Sequence, residues 1–374
     1  MKEQVKVLII GMSPTKGGIE MMLMQLFRRT DRDRVAFDFL TFCPKCVFED
    51  EIKQAGGQVF HITRRGVNPV KNRRELIAFY ESHRDVYDYI WYHLSSASNC
   101  APIVLAHKYT TAKTICHSHG TSFDSSPLFR PIHLFLDRLN HPALMRSTDY
   151  CFACSKAAGE WLFKGDASDV KIIRNGIETE RFRFNEDVRR EIRQELKADN
   201  MTVLGHAGRF CEAKNQLFLL DVFAAYHKLH QNSLLALAGE GEMLQDAKAK
   251  AQTLGIQDHV RFLGFRDDFP KLLQAFDVFV MPSLYEGLPI SAVEAQAAGC
   301  PCVLADTITS ETAVTDIVRF LSLRAPAKEW ADQIQSSITE NKDRASYADA
   351  VRAAGYDASD TTAEILRFFC GGDM

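Results

Sequence analysis

Short apolar segments alternate with longer amphipathic segments along most of the chain. Runs such as VKVLII, KTICHS and DVFVMPS predict buried strands. Between them, segments such as NQLFLLDVFAAYHKLH repeat apolar residues every three or four positions, which predicts helices packed on a sheet. This alternation is typical of parallel sheets with helices on both faces.

The predicted strands form two series. The first contains VKVLII, FDFLTF, QVFHI, YIWYHL, KTICHS, DYCFAC and VKIIRN. The second contains MTVLGHAG, LLALAG, HVRFLG, DVFVMPS, PCVLAD and VRFLSL. The charged segment ETERFRFNEDVRREIRQELKADN separates them, and we interpret it as a polar hinge near residues 178–200. The pattern predicts an α/β protein with two doubly wound, Rossmann-like domains that face each other across a cleft.

Composition and charge exclude two classes of protein. With 374 residues, of which 46% are hydrophobic and 25% charged, the chain is long enough for two cores. The net charge of −3 argues against a general nucleic-acid binder, which needs a basic face. The apolar N-terminal run is too short to span a membrane and no cleavage site follows it. We therefore expect a cytoplasmic protein that binds no nucleic acid.

Ten cysteines are scattered along the chain, and in a cytoplasmic protein we expect reduced thiols. Two pairs have CxxC spacing, Cys43/Cys46 and Cys151/Cys154, so a four-cysteine zinc site is the alternative. The segment DYCFAC alternates like a buried strand, which would leave Cys151 and Cys154 on opposite faces and argues against that site. The pattern assigns no function to Cys43 and Cys46.

Residues 282–301, PSLYEGLPISAVEAQAAGCP, have the pattern of a loop that leads into a helix. The loop follows the predicted strand DVFVMPS. Pro289 suits the first helical turn because its missing N–H would be unbonded there, and Gly299 suits the end of the helix.

The start of this predicted helix is an anion site. Backbone N–H groups near Gly287, Leu288 and Ile290 have no helical partners. Glu286 lies beside them in the loop, and Glu294 lies about one turn into the helix. A carboxylate on the helix can accept hydrogen bonds from ribose hydroxyls, and one in the loop can bind a hydroxyl-rich substrate. The alternative is that Glu286 caps the helix and Glu294 faces solvent.

A second loop, in MTVLGHAGRFCEAKNQ, follows the first strand of the second series and carries Arg209 and Lys214. Fixed cations at this edge can stabilise the charge of a diphosphate leaving group without a metal. We predict that a nucleotide tail docks where the chain turns from Ser283 to Pro289, held by Arg209 and Lys214. A solvent-facing basic loop is the alternative.

Two loops of the first series also carry candidates. Gly17 and Gly18 follow the first strand and allow close approach of the backbone to a ligand, although their segment matches neither GxGxxG nor GxxxxGK[ST]. In TICHSHGTS we expect His117 and His119 to point to opposite sides, with His119 nearer the ligand. A zinc pair is the alternative, but it lacks an obvious third ligand.

Together these segments resemble the family-4 retaining glycosyltransferases, which have the GT-B fold. The family motif of two glutamates separated by seven residues matches Glu286 and Glu294. The other similar segments are GGIE, HSHG, ACSK, WLF, RNGIETERF, GRFCEAKN, PSLYEGLP and EAQAAG. The resemblance is closest to the branch that builds capsules and exopolysaccharides. It implies an acceptor-binding domain over residues 1–183, a nucleotide-sugar-binding domain over 184–357, and a C-terminal helix in 358–374 that packs back on the first domain.

The resemblance also implies roles for individual residues. Arg209 and Lys214 would bind the donor diphosphate, Glu294 the ribose, and Glu286 would lie beside the transferred sugar with His119. The other residues implied to contact the donor are Gly17, Gly18, Gly264, Phe265, Arg266, Ser283, Gly287, Leu288 and Pro289.

The implied reaction moves a hexose or N-acetylhexosamine from a nucleotide sugar, expected to be a UDP-sugar, to a glycan or a polyprenyl-diphosphate-linked acceptor. We expect no metal and no further cofactor. Since no side chain is an evident nucleophile, we predict front-face attack with the leaving phosphate taking the acceptor proton. A peripheral contact with anionic lipid would use basic residues of the first domain, namely Arg28, Arg29, Arg64, Arg65, Arg73 and Arg74. The alternative is that these side chains form an ordinary solvated surface.

Two other functions stay open. A nucleotide-sugar epimerase of the same fold would need further acids and histidines that the pattern does not provide. A catalytically silent scaffold could bind a nucleotide sugar within a polysaccharide assembly complex. The presence of both glutamates and both cations argues against the scaffold.

Overall fold

The computed structural model describes residues 4–121, 130–165, 169–340 and 343–371. The chain forms two compact units, Met1–Gly176 with Ala358–Met374, and Ile177–Asp357. Each unit contains one parallel sheet with helices, which confirms the predicted α/β class with two Rossmann-like domains. The first unit ends at Gly176, whereas the sequence-based boundary was residue 183.

The first unit contains a seven-stranded sheet in the order β3-β2-β1-β4-β5-β6-β7. Its strands are β1 Val5–Ile10, β2 Val35–Thr41, β3 Val59–His61, β4 Tyr89–Leu94, β5 Lys113–Ser118, β6 Tyr150–Ala153 and β7 Lys171–Ile172. Its helices are α1 Gly18–Arg29, α2 Glu49–Gln54, α3 Pro69–Ser82, α4 Ala101–Tyr109, α5 Arg130–Arg146, α6 Lys156–Phe163 and α15 Ala358–Phe369.

Alternate residues of the central strands enter two cores, one on each face of this sheet. Leu8 and Ile10 belong to the core that includes α3 and α4, whereas Val7 and Ile9 belong to the core that includes α1. Helix α15 completes the second of these cores, because the rings of Phe369 and Tyr89 lie 5.1 Å apart. The last helix of the chain is therefore part of the first unit.

The second unit contains a six-stranded sheet in the order β10-β9-β8-β11-β12-β13. Its strands are β8 Thr202–Ala207, β9 Ser233–Ala238, β10 Val260–Gly264, β11 Val278–Met281, β12 Cys302–Ala305 and β13 Val318–Leu321. Its helices are α7 Thr179–Phe182, α8 Glu186–Leu196, α9 Gln216–Leu229, α10 Leu244–Thr253, α11 Phe269–Ala275, α12 Ile290–Ala297, α13 Ala327–Glu340 and α14 Tyr347–Val351. A π-helical turn, Arg352–Tyr356, follows α14.

The strand order reverses direction at one place in each sheet. In the first sheet this place lies between β1 and β4, and in the second between β8 and β11. Connections leave such a pair of strands toward opposite faces of the sheet, which opens a crevice at their carboxyl ends. The loops that follow β8 and β11 are those that carry Lys214 and Glu286.

The predicted polar hinge at 178–200 is wrong as a description of this segment. Most of it folds into α7 and α8 within the second unit. Helix α8 buries Ile192 and Leu196, and Arg193 donates to Asp277 at 3.1 Å. Its remaining residues are mostly charged and exposed, and they conceal this narrow buried face in the sequence.

Candidate functional site

Helix α12 begins at Ile290, and Pro289 is its extended N-cap, one position before the first helical turn in which the sequence placed it. Gly299 follows the helix with φ of 59°, a left-handed conformation that a residue with a side chain adopts only with strain. In the part of the chain that the structure describes, the N–H groups of Gly287, Leu288 and Ile290 make no hydrogen bond. This end of α12 therefore offers the unpaired donors that an anion requires.

An ion pair joins the loops that follow β8 and β11. The Lys214 Nζ lies 2.6 Å from the Glu286 Oε1, and the two side chains are only 19% and 13% exposed. Two further bonds connect the loops: the N–H of Leu284 donates to the Ala213 carbonyl at 2.7 Å, and the Asn215 Nδ2 donates to the Pro282 carbonyl at 3.1 Å. Lys214, in the loop after β8, therefore lies beside the Ser283–Pro289 turn and pairs with Glu286.

The stem of Lys214 passes close to the backbone of Gly208. A Cβ at Gly208 would lie 3.1 Å from the Lys214 Cε and 3.4 Å from the His206 Nε2. The Nδ1–H of His206 donates to the Val280 carbonyl at 2.8 Å. Burial lowers the pKa of His206 to about 4, so its ring is neutral at neutral pH and Lys214 is the cation at this position.

Arg209 lies in the same loop as Lys214 but in a different environment. Its side chain is 71% exposed, and it contacts Glu242 at 3.1 Å. The loop itself packs against the loop after β9, where a side chain on Gly239 would overlap the Gly208 carbonyl. This support was not predicted, although its signal, the glycines of AGEGE after a predicted strand, is present in the sequence.

Ser283 and Glu294 flank the same turn. The Ser283 side chain is fully buried, and its Oγ makes no hydrogen bond to any described residue, while its carbonyl accepts from the Thr307 Oγ1 at 2.7 Å. Burial raises the pKa of Glu294 to about 7, and the charge of Arg181 partly opposes that shift. Both side chains therefore carry polar atoms that lack a strong partner within the protein.

Gly264 is the last residue of β10, and Phe265 and Arg266 follow it. The Gly264 carbonyl accepts from the Gly239 N–H at 2.7 Å, and Phe265 is 52% exposed. Arg266 bonds to Asp268 at 2.7 Å and to Glu195 at 2.5 Å. Its guanidinium therefore holds this loop on α8.

In the first unit, Gly17 precedes α1 and Gly18 is the first residue of that helix. A Cβ on Gly17 would lie 2.7 Å from the Glu20 Oε2. The other oxygen of Glu20 accepts from the Ser13 N–H at 3.1 Å. Glu20, which is buried, thus closes the loop after β1 and lies directly against Gly17.

The expectation that His117 and His119 point to opposite sides is wrong. Their ring centroids lie 4.1 Å apart, because residues two positions apart on a strand share a face. The third histidine missing from the sequence analysis is His93, whose Nδ1 lies 2.8 Å from the His119 Nε2. Each of the three offers a ring nitrogen within 4.8 Å of the others.

The four-cysteine zinc alternative finds no support in the described residues. None of the cysteines there forms a disulfide, and the group of side chains that is placed closely enough to hold a metal ion consists of three histidines. Burial raises the pKa of Cys46 to about 11, so its thiol is protonated at neutral pH. Within 4–121, 130–165, 169–340 and 343–371, none of the helices has the length and apolar character needed to cross a membrane.

The comparisons with known proteins agree with this architecture. Residues 16–181 match the model for Glycosyltransferase Family 4, and residues 187–354 match that for Glycosyl transferases group 1. The chain is 32% identical over 379 residues to EpsF of Bacillus subtilis strain 168, which carries a provisional name as a glycosyltransferase. That alignment covers 98% of this chain and 96% of EpsF. The chain belongs to the GT-B glycosyltransferases of group 1 and family 4.

Two further proteins are similar to this glycosyltransferase. A galactosyltransferase of Escherichia coli, named for UDP-Gal and α-D-GlcNAc-diphosphoundecaprenol, is 24% identical over 318 residues, which cover 81% of this chain and 80% of the relative. The structure of Anabaena Alr3699/HepE in complex with UDP and glucose superimposes with a TM-score of 0.80 and 21% identity, covering 98% of this chain and all of that one. At that identity the structural likeness shows the fold alone.

Proposed function

We propose that this glycosyltransferase moves a sugar from a UDP-sugar to a glycan or polyprenyl-diphosphate-linked acceptor, with retention of the anomeric configuration, in the synthesis of a capsular or extracellular polysaccharide. The Lys214–Glu286 ion pair beside the unpaired N–H groups of α12 carries this proposal. The similarity to EpsF supports the glycosyltransferase activity, and the similarity to the Escherichia coli galactosyltransferase, whose name contains UDP-Gal and GlcNAc-diphosphoundecaprenol, supports the donor and acceptor classes.

The ion pair gives the site a resting state that a donor can displace. Without donor, the carboxylate of Glu286 neutralises Lys214, which is four-fifths buried. A diphosphate at the N-terminus of α12 would take over Lys214 as its counter-ion. Glu286 would then be released to accept hydrogen bonds from hydroxyls of the transferred sugar.

The transfer step uses no metal and no covalent sugar adduct. The bond from the anomeric carbon to the leaving phosphate oxygen breaks, and the bond to the acceptor oxygen forms on the same face of the sugar. The acceptor proton moves to the leaving phosphate. Lys214 and the N–H groups of Gly287 and Leu288 stabilise the charge that develops there, and Arg209 adds a second cation once it leaves Glu242.

The experiment begins with a thermal-shift screen of UDP- and GDP-sugars on the full-length protein, because a preferred donor raises the melting temperature by mass action. Turnover of that donor is then measured for the wild type, Glu286→Gln and the surface control Glu191→Gln, each with and without a chelator. We expect Glu286→Gln to lose at least about 100-fold in rate while it still binds UDP, and the chelator to have no effect.

Each other outcome points to a specific alternative. Donor binding without turnover under any acceptor condition indicates the silent scaffold. Release of an epimerised sugar indicates the epimerase. A sugar trapped covalently on Glu286 contradicts front-face attack, and full activity of Glu286→Gln contradicts the role of the ion pair.

We also propose a peripheral contact with an anionic membrane through the first unit. Helix α5 exposes Ile132, Phe135 and Leu139, which are 56%, 65% and 64% exposed and share one face of the helix. The exposed basic residues Arg138 and Arg146 lie on the same helix. An apolar stripe next to basic side chains is typical of helices that lie at a lipid surface.

The basic residues that the sequence suggested for this contact are not equivalent. Arg28 bonds to Glu51 at 2.6 Å, and Arg65 donates to the Ser98 carbonyl at 3.0 Å. Arg73 and Arg74 line a surface hollow on α3 together with Val70, which is 78% exposed. These two arginines therefore suit lipid contact better than Arg28 and Arg65.

Flotation with vesicles that contain phosphatidylglycerol tests the membrane proposal. We expect the wild type to float and the double variant Phe135→Ser/Leu139→Ser to remain in solution. Vesicles of phosphatidylcholine alone serve as the control for charge. Equal flotation of the variant and the wild type would contradict the use of α5.

A further inference from the structure

Three histidines of the first unit form a buried cluster because of strand register. The parallel pairing of β4 with β5 places His93 next to His117, and His119 follows two residues later on the same face. The ring centroid of His93 lies 5.1 Å from that of His117 and 5.0 Å from that of His119. Strand pairing thus brings His93 of β4 together with two histidines that lie more than 20 residues later in the sequence.

Most nitrogen atoms of this cluster have no hydrogen-bond partner among the described residues. One hydrogen bond joins the His93 Nδ1 to the His119 Nε2. The other four ring nitrogens, His93 Nε2, both of His117 and His119 Nδ1, are buried and make no hydrogen bond within the part of the chain that the structure describes. Buried polar atoms are nearly always paired, so four unpaired nitrogens at one place indicate that something else binds there.

The surroundings favour neutral imidazoles. Burial lowers the pKa of His119 to about 3 and that of His93 and His117 well below the ordinary value, so the rings keep a free lone pair at neutral pH. The Trp91 ring lies parallel to that of His117, with centroids 5.7 Å apart. A Cβ on Gly11 would lie 2.8 Å from the Cβ of His93, so the glycine is required for the position of that side chain.

We propose that His93, His117 and His119 bind one divalent transition-metal ion, for which Zn²⁺ is the test case. One nitrogen from each ring lies within 4.8 Å of the others, and tetrahedral zinc with Zn–N bonds of about 2.0–2.1 Å needs nitrogens about 3.4 Å apart. Small ring rotations supply that difference, and the His93–His119 hydrogen bond is given up. Three histidines leave the fourth coordination position open for water or a hydroxyl group.

Metal binding has a consequence that rests on the proposed function. His119 is the histidine implied to lie near the transferred sugar, and a bound ion would engage its free nitrogen. We therefore expect Zn²⁺ to inhibit a transfer reaction that needs no metal of its own. The binding itself is tested without any activity measurement, so failure of the function and failure of the site are distinguishable.

The first test is calorimetric titration of chelator-treated, full-length protein with Zn²⁺. We expect one ion per chain in the wild type and in the exposed-histidine control His107→Asn. Loss of a group that only supports a metal ligand lowers metal affinity by about 10–100-fold. In His117→Asn and His93→Asn we expect the affinity for Zn²⁺ to fall by more than that. Circular dichroism of the metal-free variants verifies that they fold.

A second measurement uses the wild type alone and does not depend on the folding of any variant. X-ray absorption of the zinc-loaded protein should show nitrogen scatterers at about 2.0 Å that fit imidazole, and no sulfur at about 2.3 Å. Sulfur at that distance would assign the ion to cysteines and overturn the proposal. Absence of stoichiometric binding, or unchanged binding in His117→Asn, would overturn it equally.

Discussion

Replacement of Glu294 by glutamine should remove a pH-dependent loss of stability from the second unit. Burial raises the pKa of this carboxyl from 4.5 to about 7, so the folded state prefers its protonated form. Below pH 4.5 the carboxyl is protonated in the folded and the unfolded chain, and it does not affect stability. Between pH 4.5 and 7 the unfolded chain releases the proton first, so the free energy of unfolding decreases as pH rises.

The size of this effect follows from the two pKa values. A difference between 4.5 and about 7, at about 1.4 kcal/mol for each pH unit, corresponds to about 3 kcal/mol. Part of the side chain remains in contact with solvent, which makes this figure the upper limit. We expect Glu294→Gln to match the wild type near pH 4.5 and to exceed it by up to about 3 kcal/mol at pH 8.

Native-state hydrogen exchange of α12 amides at several pH values measures this difference in the second unit alone. Glu191→Gln, at an exposed position on α8, is the matched control and should show no pH-dependent gain. The same Glu294→Gln variant should bind UDP more weakly, because a glutamine cannot offer the two acceptor oxygens of a carboxylate to the ribose. A variant with the pH dependence of the wild type would refute the reasoning.

Three further predictions concern the second unit. Gly205→Ala should destabilise the second unit by about 1–3 kcal/mol or more, since a methyl group there would overlap the Phe276 ring. The control is Gly66→Ala in the first unit, which should have little effect because no described atom lies within 4 Å of the added methyl group. Urea unfolding measures both variants. Asp277→Ala should lower the second unit's free energy of unfolding by about 3–5 kcal/mol, because Arg193, which is only 9% exposed at its side chain, would lose its ion-pair partner; a loss below 1 kcal/mol would contradict this. Ser283→Ala should leave the free energy of unfolding unchanged or slightly raised, because the buried hydroxyl makes no hydrogen bond to any described residue. The same variant should weaken UDP binding in a titration. Unchanged affinity would show that the hydroxyl does not contact the donor.

The positions of the strands were predictable from the sequence because parallel strands are buried on both faces. KTICHS, for example, is β5 residue for residue, and VKVLII is β1. Helix α8 was not predictable in the same way. Its buried face consists of few residues, among them Ile192 and Leu196, and the charged side chains around them give the segment the composition of a linker.

The histidine cluster shows what spacing alone leaves out. A strand period of two places His117 and His119 on one face, and this part was available from the sequence. The contribution of His93 was not, because it depends on which strand lies beside β5 and in which register. The order of strands in a sheet is a tertiary property, because it depends on how the strand–helix units pack together, and the strand segments themselves do not state it.

The Lys214–Glu286 pair was unpredictable for a related reason, and its presence changes how the site works. The sequence indicated that both residues follow strands at one sheet edge, but contact requires β8 and β11 to be neighbours. If Lys214 binds a diphosphate, as we propose, this mostly buried side chain must be neutralised while the site is empty, or its desolvation would destabilise the fold. Glu286 meets that requirement, and it is also the carboxylate implied to meet the transferred sugar. Donor binding would thus free Glu286 only when a phosphate has replaced it at Lys214, which links recognition of the diphosphate to readiness of the sugar site.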